Sequence, residues 1–188
     1  MATKTQNVKN GVNVDQMMGT IEAVKGTPAI AQFRFRSSSR WTGGAREQTS
    51  FKSFYGAGQE DTTRKETFVL DGDEPAILLG TNEAPNAVEA TLHALSSCMT
   101  VAFVYPAAAQ GIKVESLEYT MEGDVDLHGF LNLSDKIRPG LQNIRVKAHV
   151  KADAPREKIQ ELLDYATKTS PVMDTIRNPV SVTVELAD

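Results

Sequence analysis

The chain has 188 residues and a formal net charge of −4, with acidic and basic residues interspersed along its length. That balance leaves no electrostatic footprint for nucleic acid or for an anionic membrane surface, and the length suffices for one well-buried core. A single cysteine, Cys98, excludes an intrachain disulfide and a cysteine-rich metal centre, and the three histidines have no metal-ligand spacing, so no metal and no cofactor are expected.

The opening run Met-Ala-Thr-Lys-Thr-Gln lacks the apolar core of a signal peptide. Asn13 or Asp15 is placed to cap an amphipathic helix whose stripe is Val14, Met17, Met18, Ile21 and Val24, and Gly26 with Pro28 stops it. Residues 1–28 thus read as a helical extension and residues 29–188 as one domain. Residues 29–36 alternate, with Ile30, Phe33 and Phe35 among Gln32, Arg34 and Arg36, and predict a strand. The Gly43-Gly44 pair marks a turn before a second extended run over 48–54. Residues 55–63 read as a loop, and 66–70 as a short strand ending at Asp71-Gly72-Asp73.

Turn residues fill 74–86 and lead into the most apolar stretch of the chain, 86–111, for which Asn86 is the N-cap. Glu89, His93, Ser96, Ser97 and Pro106 interrupt this stretch, so it reads as a buried helix and not as a membrane span. Pro106 should kink or end the helix, and Gly111 stops it. Residues 114–127 form the next strand region, and 128–140 a polar loop. Over 141–151, Ile144, Val146, Ala148 and Val150 alternate with Arg145, Lys147, His149 and Lys151, as in a strand with one wet face. Pro155 opens a helix with the stripe Ile159, Leu162, Leu163 and Ala166. Ser170-Pro171 restarts a short helical turn, and 180–186 closes the chain as an alternating strand. The pattern predicts an α+β protein: antiparallel strands around one long buried helix, with a second helix flanking it. One unpaired cysteine and no targeting signal favour a reducing cytoplasm.

The run from Gly80 to Cys98, Gly-Thr-Asn-Glu-Ala-Pro-Asn-Ala-Val-Glu-Ala-Thr-Leu-His-Ala-Leu-Ser-Ser-Cys, resembles the first active-site segment of the osmotically inducible protein C and organic hydroperoxide resistance family. Thr169-Ser170-Pro171-Val172-Met173-Asp174-Thr175-Ile176 is similar to the family's second-cysteine segment. The resemblance covers roughly residue 30 to the C-terminus. It implies an intertwined homodimer with sites at the subunit interface, and thiol-dependent reduction of organic hydroperoxides in an oxidative-stress response. Position by position, the peroxidatic cysteine falls on Cys98 and its supporting arginine on Arg46, after Gly43-Gly44, although Ala45 intervenes and Arg36 and Arg40 are the other choices. The supporting glutamate falls on Glu89, nine residues before Cys98, where the well-studied branch has ten. The resolving cysteine falls on Ser170, which has no thiol.

The chemistry implied is attack of a thiolate on a peroxide oxygen. A free thiol is only a few per cent ionised at neutral pH, and holding it mostly as thiolate takes roughly 2.7 kcal/mol of differential stabilisation. Cys98 stands about three turns into its helix, beyond the reach of the helix dipole, and burial among Leu95, Met99 and Val101 opposes ionisation. A guanidinium that forks between thiolate and carboxylate suits the task. Phe103 and Tyr105 nearby would favour an alkyl or acyl hydroperoxide. Without a second thiol, turnover needs an external reductant, such as a lipoylated protein or a small thiol. The competing reading is a binding protein of the same fold, with an inert buried Cys98 and a small apolar ligand. In that reading Ser170 is an N-cap before Pro171, Glu89 a first-turn carboxylate, and Arg46 a solvated turn residue.

Overall fold

The computed structural model describes residues 7–187, so the opening run read as lacking a signal peptide lies outside the described residues. By contacts the chain divides into two compact units, one formed in essence by 13–90 and the other by 8–12 with 91–187.

In the first unit, α1 (Val14–Gly26) begins where its sequence predicts: Asn13 is the N-cap, and its side chain accepts a hydrogen bond from the Gln16 amide at 2.9 Å. The predicted strand over 29–36 is absent. Pro28 instead starts a 3₁₀ turn, Pro28–Ala31, and the remainder is held by a single antiparallel bridge between Arg34 and Tyr55. What positions this stretch is aromatic packing: Phe33 and Phe35 lie 6.3 and 5.4 Å from Phe54, ring centre to ring centre. Gly56 makes that packing possible, since a Cβ there would stand 2.3 Å from the Phe33 ring.

β3 (Ser38–Gly43) turns through Gly43 and Gly44, both at positive φ, into β4 (Arg46–Phe51). The segment read as a loop contains a hairpin, β5 (Phe54–Gly56) and β6 (Gln59–Asp61), which reverses at Ala57-Gly58. β7 (Phe68–Gly72) completes an antiparallel sheet in the order β3-β4-β7, with Glu47 opposite Gly72 and Phe51 opposite Phe68.

The second unit begins with a short hairpin of β1 (Val8–Lys9) and β2 (Val12–Asn13). At its tip, the Asn10 side chain donates to the Ile112 carbonyl at 2.9 Å and accepts from the Val114 amide at 3.0 Å. The long helix α2 (Ala87–Ala109) opens in the first unit and continues into the second. It runs through Pro106 and does not break there. Proline forfeits one backbone bond, but Phe103, Ala107 and Ala108 around it are almost fully buried, and that burial keeps the helix intact. By length and composition α2 is apolar enough to cross a membrane. Here one side of it, Leu95, Met99, Phe103 and Ala107, is buried in protein, so the buried-helix expectation holds for that side.

β8 (Val114–Asp124) and β9 (Asn143–Ala152) pair antiparallel over their full length, with the alternating burial that the sequence predicts for β9. Between them, the polar loop contains one short turn of helix, α3 (Leu127–Phe130), capped by Asp126. α4 (Arg156–Thr169) and α5 (Pro171–Arg177) follow. Phe103, Ala107, Ile112, Leu162 and Ala166 form the core, with Leu117 and Val150 of the sheet packed against it.

The predicted closing strand over 180–186 does not form among the described residues. A strand needs a partner edge for its backbone groups, and this segment pairs with none among the described residues: Val180, Val182, Val184 and Leu186 are 57, 78, 89 and 101% exposed.

Candidate functional site

Cys98 sits midway along α2 with intermediate exposure. On one flank are Leu95 and Met99, which are buried. Val101 and Tyr105, three and seven residues further on and hence on the same side of the helix as Cys98, are each 47% exposed. The thiol therefore lies at the seam between the packed side of α2 and an exposed apolar stripe.

Arg46 opens β4 and pairs through Nη1 with Glu83 Oε2 at 3.1 Å. Both side chains are substantially exposed, so the pair contributes about 0–1 kcal/mol to stability. The other two candidate arginines are engaged elsewhere: Arg36 forks onto Glu60 at 2.8 Å, and Arg40 donates to Gln48. Glu89 occupies a reciprocal cap. Its amide donates to the Asn86 side chain, and its carboxylate accepts from the Asn86 amide, each at 2.9 Å. Nine residues separate Glu89 from Cys98 on a continuous helix, so they project from opposite sides of it. The structure thus brings Arg46 to Glu83 and Glu89 to the helix start.

Sequence reasoning missed Glu83 and the residue behind it, Asp73. Asp73 is 3% exposed and accepts hydrogen bonds from the Glu74, Thr81 and Glu83 amides and from the Thr81 hydroxyl. Those bonds, the Thr81 hydroxyl foremost, hold its carboxyl well below the usual carboxylate range against the opposing effect of burial. An acid eight and ten residues before its donors follows no helical or strand period, so no sequence signal marks it.

Ser170 is 1% exposed and caps α5, accepting from the Met173 amide at 3.2 Å, with Pro171 at the first helical position. Near it, within the second unit, a groove of about 800 Å³ is lined by Leu95, Met99 and Leu163 together with Arg138, Asp164 and Arg177. Among the described residues, no group of three or more His, Cys, Asp or Glu side chains is arranged to hold a metal ion.

A family model described as OsmC-like protein matches residues 80–185, which contain both Cys98 and Ser170. No curated protein sequence matches the chain. Among solved structures, the chain is similar to an OsmC-like protein from Mycoplasma pneumoniae, at 15% identity and a TM-score of 0.58, over 78% of this chain and 89% of that one. It is also similar to an organic hydroperoxide resistance protein OsmC from Legionella pneumophila (18% identity, TM-score 0.53, 76% of this chain and 90% of that one). An OsmC-like protein of unknown function from Vibrio cholerae gives 14%, 0.53, 75% and 92%. At these identities the structures establish a shared fold, an α+β arrangement of antiparallel sheets and a long helix. With more than half of its length matched by the family model, the chain belongs to the OsmC-like protein family.

Proposed function

We propose that the protein reduces organic hydroperoxides with Cys98 as its single peroxidatic thiol, working as a cytoplasmic homodimer in the oxidative-stress response. The observation that carries this reading is the position of Cys98: a lone, part-exposed thiol at the edge of an apolar stripe, within the family-matched segment. The Legionella relative's name, organic hydroperoxide resistance protein, supports the same substrate class.

In this reading the Cys98 thiolate attacks one peroxide oxygen and the O–O bond breaks. The other oxygen leaves as alkoxide and takes up a proton to become the alcohol, while Cys98 becomes a sulfenic acid. Arg46 supplies the guanidinium that favours the thiolate. A carboxylate restrains that guanidinium: the family resemblance points to Glu89, whereas Glu83 is the carboxylate paired with it here. Ser170 carries no thiol, so an external thiol condenses with the sulfenic acid and releases water. A second external thiol then frees Cys98 and leaves as the disulfide. A lipoylated protein or a small thiol has the required chemistry.

A second copy of the chain is proposed to cover Val101 and Tyr105 and to engage the exposed alternation at 180–186. Support comes from the open outer edges of the two-stranded β8-β9 sheet and from apolar exposure too extensive for an isolated chain.

The test is consumption of cumene hydroperoxide with dihydrolipoamide as reductant. The wild type should turn over and Cys98→Ser should not; equal rates would remove the peroxidase reading. The groove near α4 and α5, with both apolar and charged side chains on its lining, gives space for a second reading, a non-catalytic carrier of a small ligand that is apolar in part. Binding of such a ligand that is unchanged by Cys98→Ser, together with no turnover, would select it.

A further inference from the structure

Asp73 begins the turn-rich segment between β7 and α2. Its carboxylate gathers the Glu74 amide at 2.8 Å, the Thr81 hydroxyl at 2.6 Å and the Glu83 amide at 3.0 Å, and so fixes a loop of ten residues from a single buried point. The loop has little freedom to take another shape. The Asn82 amide bonds to the Glu74 carbonyl at 3.1 Å, and a Cβ on Gly80 would fall 1.8 Å from that same oxygen. Glu83 stands at the end of this segment, with its amide on Asp73 and its carboxylate on Arg46. Arg46 in turn is fixed by the sheet, because the next residue, Glu47, lies opposite Gly72, the neighbour of Asp73. The two halves of the ion pair are thus set by one structural unit, through the strand register on one side and the Asp73 bonds on the other.

We propose that Asp73 is a positioning residue for Arg46, acting through Glu83, so that the carboxylate that orients this guanidinium is Glu83 and not Glu89. The functional weight of this rests on the reading in which Arg46 serves the Cys98 thiolate; the positional part stands apart from it. Asp73 touches no reacting atom. It holds the amide of Glu83, and a free carboxylate on a mobile loop would leave Arg46 to sample many rotamers.

Phenylglyoxal modification of Arg46, followed by peptide mass spectrometry on the full chain, reads the guanidinium directly without any catalysis. Glu83→Gln and Asp73→Asn should each speed modification of Arg46 about threefold to tenfold, with Arg145 as an internal control. The double variant should be no faster than either single one, because both act on one linkage. Thr81→Val removes one of the Asp73 bonds and should move the rate in the same direction, with Thr81→Ser restoring it; this pair decides the matter if Asp73→Asn fails to fold. Glu89→Gln should leave the rate unchanged. In Thr81→Val, Asp73→Asn and Glu83→Gln the rate of Cys98 alkylation at neutral pH should fall, and Thr81→Ser should restore it, which loss of packing alone would not do. Unchanged Arg46 modification in folded Thr81→Val and Glu83→Gln would overturn the positioning claim, as would additivity in the double variant. A wild type without hydroperoxide turnover would overturn the functional reading instead, leaving the modification rates to decide the positioning.

Discussion

Replacing Ser170 with alanine removes one buried hydroxyl whose structural task is specific. That oxygen accepts from the Met173 amide, while the Ser170 backbone is held independently: its amide bonds to the Ala166 carbonyl, and its carbonyl accepts from the Asp174 amide, each at 3.0 Å. The substitution should therefore delete a cap without displacing the chain. Loss of an N-cap costs about 1 kcal/mol, within a range of about 0.5–2. The Met173 amide is part-buried and regains water poorly, which places the expected cost near about 1.5 kcal/mol. For a chain of this size that corresponds to a fall in Tm of about 3–6 °C. α5 has seven residues and cannot persist alone, so the effect should concentrate there. Urea denaturation should show a lower midpoint with an unchanged slope, and hydrogen exchange at the Met173 amide should accelerate selectively. Glycine is the informative comparison, because it replaces a capping residue at a cost of only a few tenths of a kcal/mol. The order should be serine, then glycine, then alanine. If glycine proves worse than alanine, or if alanine matches serine within about 0.3 kcal/mol, packing and not capping explains this residue.

Three further outcomes follow from the fold. Phe103→Ala empties a fully buried site between α2 and α4 and should cost about 3–5 kcal/mol in urea denaturation; a cost below about 1 would contradict the assigned core. The Tyr119 hydroxyl is buried without a hydrogen-bond partner among the described residues, and burial pushes its phenol upward, so Tyr119→Phe should be neutral or stabilising by up to about 1 kcal/mol. A loss greater than that in thermal melts would show that the hydroxyl has a partner. Asp73 has a lowered carboxyl in the folded state, so its contribution is present above the ordinary carboxylate value and is lost as pH falls from about 4 downward. Asp73→Asn should accordingly flatten the acid side of the stability profile, and an unchanged acid slope would refute that role.

Where local chemistry decides structure, the sequence was enough. Asn13, Asn86 and Ser170 cap the helices they were expected to cap, and the alternation over β9 matches its burial, because caps and strand periodicity depend on residues a few positions apart. It misled where a tertiary partner decides. The alternation at 29–36 is real, but stacking of Phe33 and Phe35 onto Phe54, residues far away in the chain, governs that stretch. Residues 180–186 have a strand's pattern but pair with no strand among the described residues, which no property of the segment itself reveals. At the candidate site, motif and turn led to the proposed Cys98 and Arg46, and the positions of the first on the long helix and of the second after the Gly43-Gly44 turn are as expected. The Asp73–Glu83–Arg46 chain was not, since it joins a loop to a strand across the sheet.

The most direct test of the account is the rate of Cys98 alkylation by iodoacetamide as a function of pH, compared between wild type and Arg46→Ala. A thiolate favoured by a guanidinium predicts fast alkylation of the wild type at neutral pH and a marked slowing there when Arg46 is removed. Alkylation of the wild type at neutral pH no faster than that of a free thiol, and indifferent to Arg46, would contradict the assignment of Cys98 as a peroxidatic residue.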